Sequence, residues 1–219
     1  MWIYDLADYR QMFDLSARDL LKKILDFPAG MSSFNAQMTV QGHQVISGDE
    51  LYVLTPPEIT QRTKAFFEQD EKNLTKHKEL LVNPDEIDNI VQEWRARRQR
   101  FLEDYSLEQK AQRYLPMQLP HLPFVDQSFG LALCSDFLFH TQAHSSNPTE
   151  LIGELCRVAH EVRVFPLMTE QGKMPNTLGP LMLHLQQQSF GVEVREVQYH
   201  QLRGGNAMMR IWATECVLS

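Results

Sequence analysis

The chain is short of the features that usually assign a protein at first sight. Its 219 residues include three cysteines, Cys134, Cys156 and Cys216, and their spacing matches no zinc or redox motif. Two of them sit inside apolar runs, so they read as buried thiols of a reducing compartment and supply no activated nucleophile. No stretch approaches the roughly 20 apolar residues that a bilayer-spanning helix needs. The opening Met1-Trp2-Ile3-Tyr4-Asp5 lacks the basic start and apolar core of a secretory signal. A soluble, cytoplasmic protein with no membrane partner is expected. Positive charge is not in excess either: 21 Lys and Arg stand against 28 Asp and Glu, for a net charge of -7. That balance argues against a nucleic-acid partner. There is no internal repeat, no low-complexity tract and no complete G-x-G-x-x-G for a pyrophosphate.

What is present begins at Lys22. The run Ile24-Leu25-Asp26-Phe27 reads as a short buried strand, Pro28-Ala29-Gly30-Met31 as a tight turn, and Ser32 or Ser33 as the cap of a helix carrying Phe34, Met38 and Val40. Gly42 ends that helix. A second strand-like run, His43 to Asp49, places a carboxylate 19 positions after Gly30. A buried strand, a tight turn, a helix and then an acid at the end of the next strand is how a doubly wound α/β fold presents a nucleoside-containing ligand.

Upstream, residues 5–21 read as one helix with Leu6, Tyr9, Phe13 and Leu20 on its apolar side. From Glu58 to about Gln112 no strand pattern occurs. Asn83-Pro84-Asp85 divides this stretch into two helical pieces, and Ile87, Ile90, Val91, Trp94, Phe101, Leu102 and Tyr105 recur at helical spacing. A plain βαβ connection is far shorter, so residues 53–112 are expected to form a helical insertion over the strand ends, a lid or substrate wall within a single 1–219 domain. The row Arg95-Ala96-Arg97-Arg98-Gln99-Arg100 reads as a solvated helix face, given Glu93, Glu103 and Asp104 beside it. Strand character returns at Arg113-Tyr114-Leu115, in the continuous apolar run Phe129 to Cys134, and at Glu161 to Leu167. Helices are expected at Thr149–Ala159 and Asn176–Ser189. Val192–Val197 and Met208–Ala213 read as a closing antiparallel hairpin. The fold class expected is α/β: a Rossmann-like, seven-stranded, mostly parallel sheet with an antiparallel C-terminal edge hairpin and a helical insertion.

This layout resembles the class I S-adenosylmethionine-dependent methyltransferases over most of the chain outside the insertion. Leu25-Asp26-Phe27-Pro28-Ala29-Gly30 resembles that family's acidic-x-Gly-x-Gly motif, in the form of a subfamily with proline in the turn. Asp49 matches the carboxylate that holds ribose hydroxyls, and Leu119 to Ser135 resembles the "LPF-x-D-x-SFD-hydrophobic" segment leading into the fourth strand. Pro28 replaces the first glycine, Ser32 stands where a further glycine often lies, and Gly130 replaces an aspartate. The resemblance implies S-adenosylmethionine as cofactor and a small-molecule methyl acceptor. It implies cofactor contacts at Asp26, Pro28, Ala29, Gly30, Asp49, Glu50, Leu119 and Ser135, with Arg10 pairing with the cofactor carboxylate. Arg10 reads equally as a surface ion pair. Asp136 is the candidate catalytic residue, holding an acceptor amine or acting as a base, or else it caps the next helix. Asp136, His140 and His144 recur at i, i+4, i+8 but match no established metal signature, so no metal is expected. Two other readings stand beside the enzyme: a methyltransferase-like binding or scaffold protein without catalysis, motivated by Pro28 and Gly130, and a nicotinamide-dependent oxidoreductase, which the missing dinucleotide glycines disfavour.

Overall fold

The computed structural model describes residues 2–106, 112–139, 147–169, 172–201 and 203–214. Seven strands form one sheet: β1 (Ile24–Asp26), β2 (Val45–Gly48), β3 (Tyr114–Leu115), β4 (Leu131–Ser135), β5 (Glu161–Phe165), β6 (Phe190–Glu196) and β7 (Ala207–Ala213). Their order is β3-β2-β1-β4-β5-β7-β6. The first five pair in parallel, and β7 runs antiparallel to both β5 and β6. The expected fold class is the one observed, with one refinement. The closing hairpin does not simply extend the edge, because β7 slots inside it and β6 becomes the outermost strand.

The centre of the sheet is buried on both faces, and β4 is apolar on both. In β4, Ala132 and Cys134 face a core built with α6 (Pro148–Val158) and α7 (Leu178–Gln187). Leu131 and Leu133 face the opposite core, shared with α1 (Leu6–Met12) and α3 (Phe34–Val40). Strand order reverses direction between β1 and β4, so their carboxyl ends flank the crevice where open α/β sheets bind ligands.

The predicted helix over 5–21 is two. After α1 the chain turns through Asp14 at φ 48°, and α2 (Ala17–Leu20) starts afresh with Ser16 as its cap. Ser16 and Asp19 exchange hydrogen bonds, which satisfy the first-turn N–H groups that α2 would otherwise leave open. A continuous helix would forgo that local pairing.

The insertion is helical. Pro56 and Pro57 open α4 (Pro56–Lys76), where missing N–H groups cost nothing, and α5 is Ile87–Tyr105. Ile59, Leu81, Ile90, Trp94 and Phe101 form a third core with Ala29, Met31, Tyr52 and Tyr114. The insertion therefore rests on the turn after β1 and on the segment after β2. Its far loop reaches the opposite side of the crevice, where Val82 N donates to Gln201 O and Arg203 Nε to Leu81 O. The basic row is mostly engaged: Arg95 pairs with Glu71, and Arg97 with Asp5, Asp8 and Glu93. Among the described residues no helix is long and apolar enough to cross a membrane.

Close packing at the end of β2 gives a direct test. A Cβ on Gly48 would meet Met117 Sδ at 2.7 Å and Phe27 Cδ2 at 2.9 Å. Gly48→Ala is expected to lower the free energy of unfolding by about 1–3 kcal/mol, the usual cost of overpacking, read from urea denaturation. An unchanged midpoint would mean that the β2 end is looser than described.

Candidate functional site

β1 ends in a carboxyl group that water does not reach. Asp26 is 1% exposed. The Tyr9 hydroxyl donates to its Oδ1 at 2.7 Å and the Ser47 hydroxyl to its Oδ2 at 3.2 Å. Tyr9 is held flat against Phe34, ring centroids 4.2 Å apart. Ser47 in turn accepts from Asn35 Nδ2 at 3.0 Å, and the Asn35 carbonyl accepts from Arg113, which grips Asp104 of α5 through both carboxylate oxygens. A polar chain thus runs from α1 through β1, β2 and α3 to the insertion. Burial, with the Asp49 charge adding to it, pushes the Asp26 carboxyl up to about 7, while the two hydroxyls oppose the shift.

Asp49 is placed differently. It caps the 3-10 turn Glu50–Val53, and is half-buried. Its carboxylate accepts from Gly30 N at 2.8 Å and from Leu51 N at 2.9 Å. A carboxylate has about four acceptor positions, so two further hydroxyl donors can be accommodated. The two motif residues 19 positions apart are therefore joined by a hydrogen bond across the ends of β1 and β2. Gly30 has φ 54°, a conformation that glycine adopts without strain. Burial raises the Asp49 carboxyl above its ordinary range, against the pull of its two N–H partners. Tyr52, one turn on, donates its hydroxyl to Gly30 O at 2.9 Å, and Tyr105 of α5 donates to the Tyr52 and Leu54 carbonyls.

The N-terminus of α3 does not stand open. Ser33 N and Ser32 Oγ both donate to Tyr4 O, and Phe34 N donates to Ser32 Oγ. Ser32 thus serves the cap, and residues 2–5 lie across it, pinned from above by Arg97.

At the end of β4, Ser135 is buried and Asp136 half-buried at φ 48°. The Tyr4 hydroxyl donates to Asp136 Oδ2 at 2.5 Å. Among the described residues no helix follows Asp136, and His140 and His144 lie outside them. A cavity of about 10 Å³ is walled here by Trp2, Tyr4, Asp136, Phe165 and Tyr199 among others. A larger one, about 450 Å³, lies on the flank between the ends of α3 and α5, lined by Gln37, Arg100 and Asp104 and not by the turn.

Of the sequence candidates, the fold gathers Asp26, Pro28, Ala29, Gly30, Asp49, Ser135 and Asp136 at neighbouring strand ends. Leu119 is buried in the core that faces α6 and α7. Glu50 is exposed on the 3-10 turn, and Arg10 is exposed on α1, next to the inward-facing Tyr9. Sequence reasoning missed Tyr4, Ser47, Tyr52 and Tyr199. Each is defined by a contact with a residue distant in the chain or by an ordinary-looking position, and no motif marks it.

The chain is 30% identical over 214 residues to the uncharacterized protein MJ0045 of Methanocaldococcus jannaschii, across 93% of this chain and 91% of that one. It belongs to that protein's family. No protein-family model matches. Among solved structures, an S-adenosylmethionine-dependent methyltransferase from Aquifex aeolicus covers 94% of this chain and 92% of its own, at 15% identity and TM-score 0.46. The magnesium protoporphyrin IX methyltransferase of Synechocystis covers 88% and 70%, at 9% identity and TM-score 0.45. At these values neither likeness bears on what this chain binds.

Asp26 makes stability depend on pH with a definite sign. Its folded value near 7 lies above the unfolded value near 3.8, so the native state holds a proton that the unfolded chain releases. The stabilisation is full below pH 4 and is lost as pH rises through 7, on the order of a few kcal/mol. Asp26→Asn is expected to flatten the fall in unfolding free energy between pH 4 and 8, measured by urea denaturation at several pH values. A variant that tracks the wild type would contradict this.

Proposed function

We propose that this chain binds S-adenosylmethionine and transfers its methyl group to a small-molecule acceptor. One observation carries the reading: a half-exposed carboxylate at the end of β2 meets the glycine N–H of the turn after β1 and keeps acceptor capacity to spare. Ribose presents two adjacent hydroxyl donors, and in doubly wound folds an acid at this place takes them. The nucleoside end of the cofactor therefore fits the residues present. The cofactor itself supplies a methyl group on a positively charged sulfur, already activated for transfer. What remains for the protein is to hold the ribose with Asp49, shape the turn with Pro28, Ala29 and Gly30, orient the acceptor and keep water out.

The insertion suits the last of these tasks as a lid. The crevice between the β1 and β4 ends is closed by Tyr4, Tyr52 and the third core. The cavity at its β4–β5 side, about 10 Å³, is far below the roughly 300 Å³ at which ligand pockets begin. Entry of a nucleoside requires α4, α5 or residues 2–5 to swing away from the turn.

A second reading has its own observation. Asp26 is sealed by Tyr9 and Ser47, and the α3 cap is occupied by Tyr4. If these contacts persist, the methionine end of the cofactor has no seat, and the chain is a methyltransferase-like binding or scaffold protein without catalysis.

Calorimetric titration with S-adenosylhomocysteine separates the two. Binding is expected in the wild type, with none of NADH. Asp49→Ala, verified as folded, is expected to weaken it by about 1.5–3 kcal/mol, the worth of hydrogen bonds to a charged group. The absence of wild-type heat, with no ligand density in a soaked crystal, would favour the scaffold. Unchanged affinity in the folded variant would remove Asp49 from the ribose.

A further inference from the structure

We propose that α4 and the loop after it form a flap over the turn after β1, latched shut by Gln201 and Arg203, while α5 stays fixed to the body of the domain. That the flap admits a nucleoside rests on the reading above, whereas the flap itself stands on the contacts each helix makes. α5 is gripped at several points. Arg97 donates to Ile3 O and pairs with Asp5 and Asp8. Asp104 pairs with Arg113 and accepts from the Tyr114 hydroxyl, and the Tyr105 hydroxyl donates to the Tyr52 and Leu54 carbonyls. α4 is held more lightly. Of its 21 residues only Ile59, Thr63 and Leu74 are buried, and Phe66 stands exposed. Its ties to α5 include the Glu71–Arg95 pair, whose arginine is exposed and which adds little, and the bonds of Arg98 to Thr60 O and Thr63 Oγ1.

The seam between the two helices carries a cost. Trp94 and Arg98, one turn apart on α5, both lie against the Phe67 ring of α4, at 6.3 and 5.6 Å from its centroid. Trp94 Nε1 and Arg98 Nε are buried with no hydrogen-bond partner among the described residues. Closure takes water from an indole N–H and a guanidinium and returns no acceptor to either atom, and burial holds the Arg98 group below its ordinary range. Lifting α4 rehydrates both. A latch at the far end of the flap offsets this cost. Arg203 N donates to Leu80 O at 2.9 Å and Val82 N to Gln201 O at 3.0 Å, a reciprocal pair of the kind that joins antiparallel strands. Arg203 Nε adds a bond to Leu81 O at 3.0 Å. Gly204, at φ 74°, turns the chain directly afterwards, and Gln201 and Gly205 wall the small cavity beside Asp136. On the underside of the flap, Ile59, Leu74 and Leu81 share the third core with Ala29 and Met31, so lifting it uncovers the turn.

The test is hydrogen exchange, read by mass spectrometry on the whole chain without ligand. Residues 61–76 are expected to exchange at least about tenfold faster than 91–105. Arg203→Ala, which removes the Nε bond, is expected to speed exchange at 61–82 about fivefold and to leave 91–105 unchanged. Arg98→Met, which keeps the stem without the buried guanidinium, is expected to slow exchange at 61–82 about fivefold. Both variants are checked for folding by circular dichroism. Equal exchange of the two helices in the wild type would overturn the flap, as would exchange at 61–82 not sped by folded Arg203→Ala or not slowed by folded Arg98→Met. Calorimetric titration with S-adenosylhomocysteine keeps the two readings apart. Exchange as expected in a chain that gives no heat leaves the flap and removes the nucleoside. Heat from a chain whose two helices exchange together does the reverse.

Discussion

The architecture turns on one buried carboxyl group. Asp26 closes the central strand of the parallel sheet where no water can solvate it, and a buried polar group left unpaired costs about 1–3 kcal/mol. The fold meets this demand with a tyrosine from α1 and a serine from β2, and then meets the needs of those groups in turn. Asn35 serves Ser47, Arg113 serves Asn35, and Asp104 serves Arg113. Each link lies in a different element, so the position of α1, the register of β2 and the footing of α5 are all constrained by the same chain of donors and acceptors. Such a network is worth most when complete, because each partner left over is itself buried.

The insertion is anchored through ion pairs of α5. Arg97 ties the helix to Asp5, in the segment that caps α3, and to Asp8 of α1, while Asp104 ties it to Arg113 and to Tyr114 of β3. Beside Arg97 on the same helix, Trp94 Nε1 and Arg98 Nε are buried with no hydrogen-bond partner among the described residues. The centre of the sheet, by contrast, is covered on both faces by apolar cores. If one part of the molecule opens at low cost, it is this interface and not the sheet.

Much of the fold was legible because its signals are local. The apolar run at β4, the alternation at β6 and β7, and the helical recurrence from Ile87 to Tyr105 each report a periodicity that burial enforces. The break between α1 and α2 was not, because Leu6, Tyr9, Phe13 and Leu20 keep helical spacing across it while the Ser16–Asp19 cap decides otherwise. At the site, Asp49 and Gly30 were legible because their separation is set by one βαβ unit. Tyr4 and Tyr199 were not, since they meet only when residues 195 apart in sequence are folded together. The closure of the α3 cap by Tyr4 O was equally silent, for a backbone carbonyl carries no residue identity to read.

The position of β7 has a consequence for how the chain can be made. β6 leaves the sheet with no neighbour of its own: it pairs with β7, and only β7 pairs with β5. During synthesis, residues 190–196 emerge before their partner exists, while β5 presents an open edge. Until residues 207–213 follow, residues 190–196 have no strand partner and the β5 edge is open. An open edge can recruit a foreign strand, the ordinary route to aggregation. Completion of the sheet thus waits on β7, and a chain stalled before Ala207 lacks the one strand that joins β6 to β5.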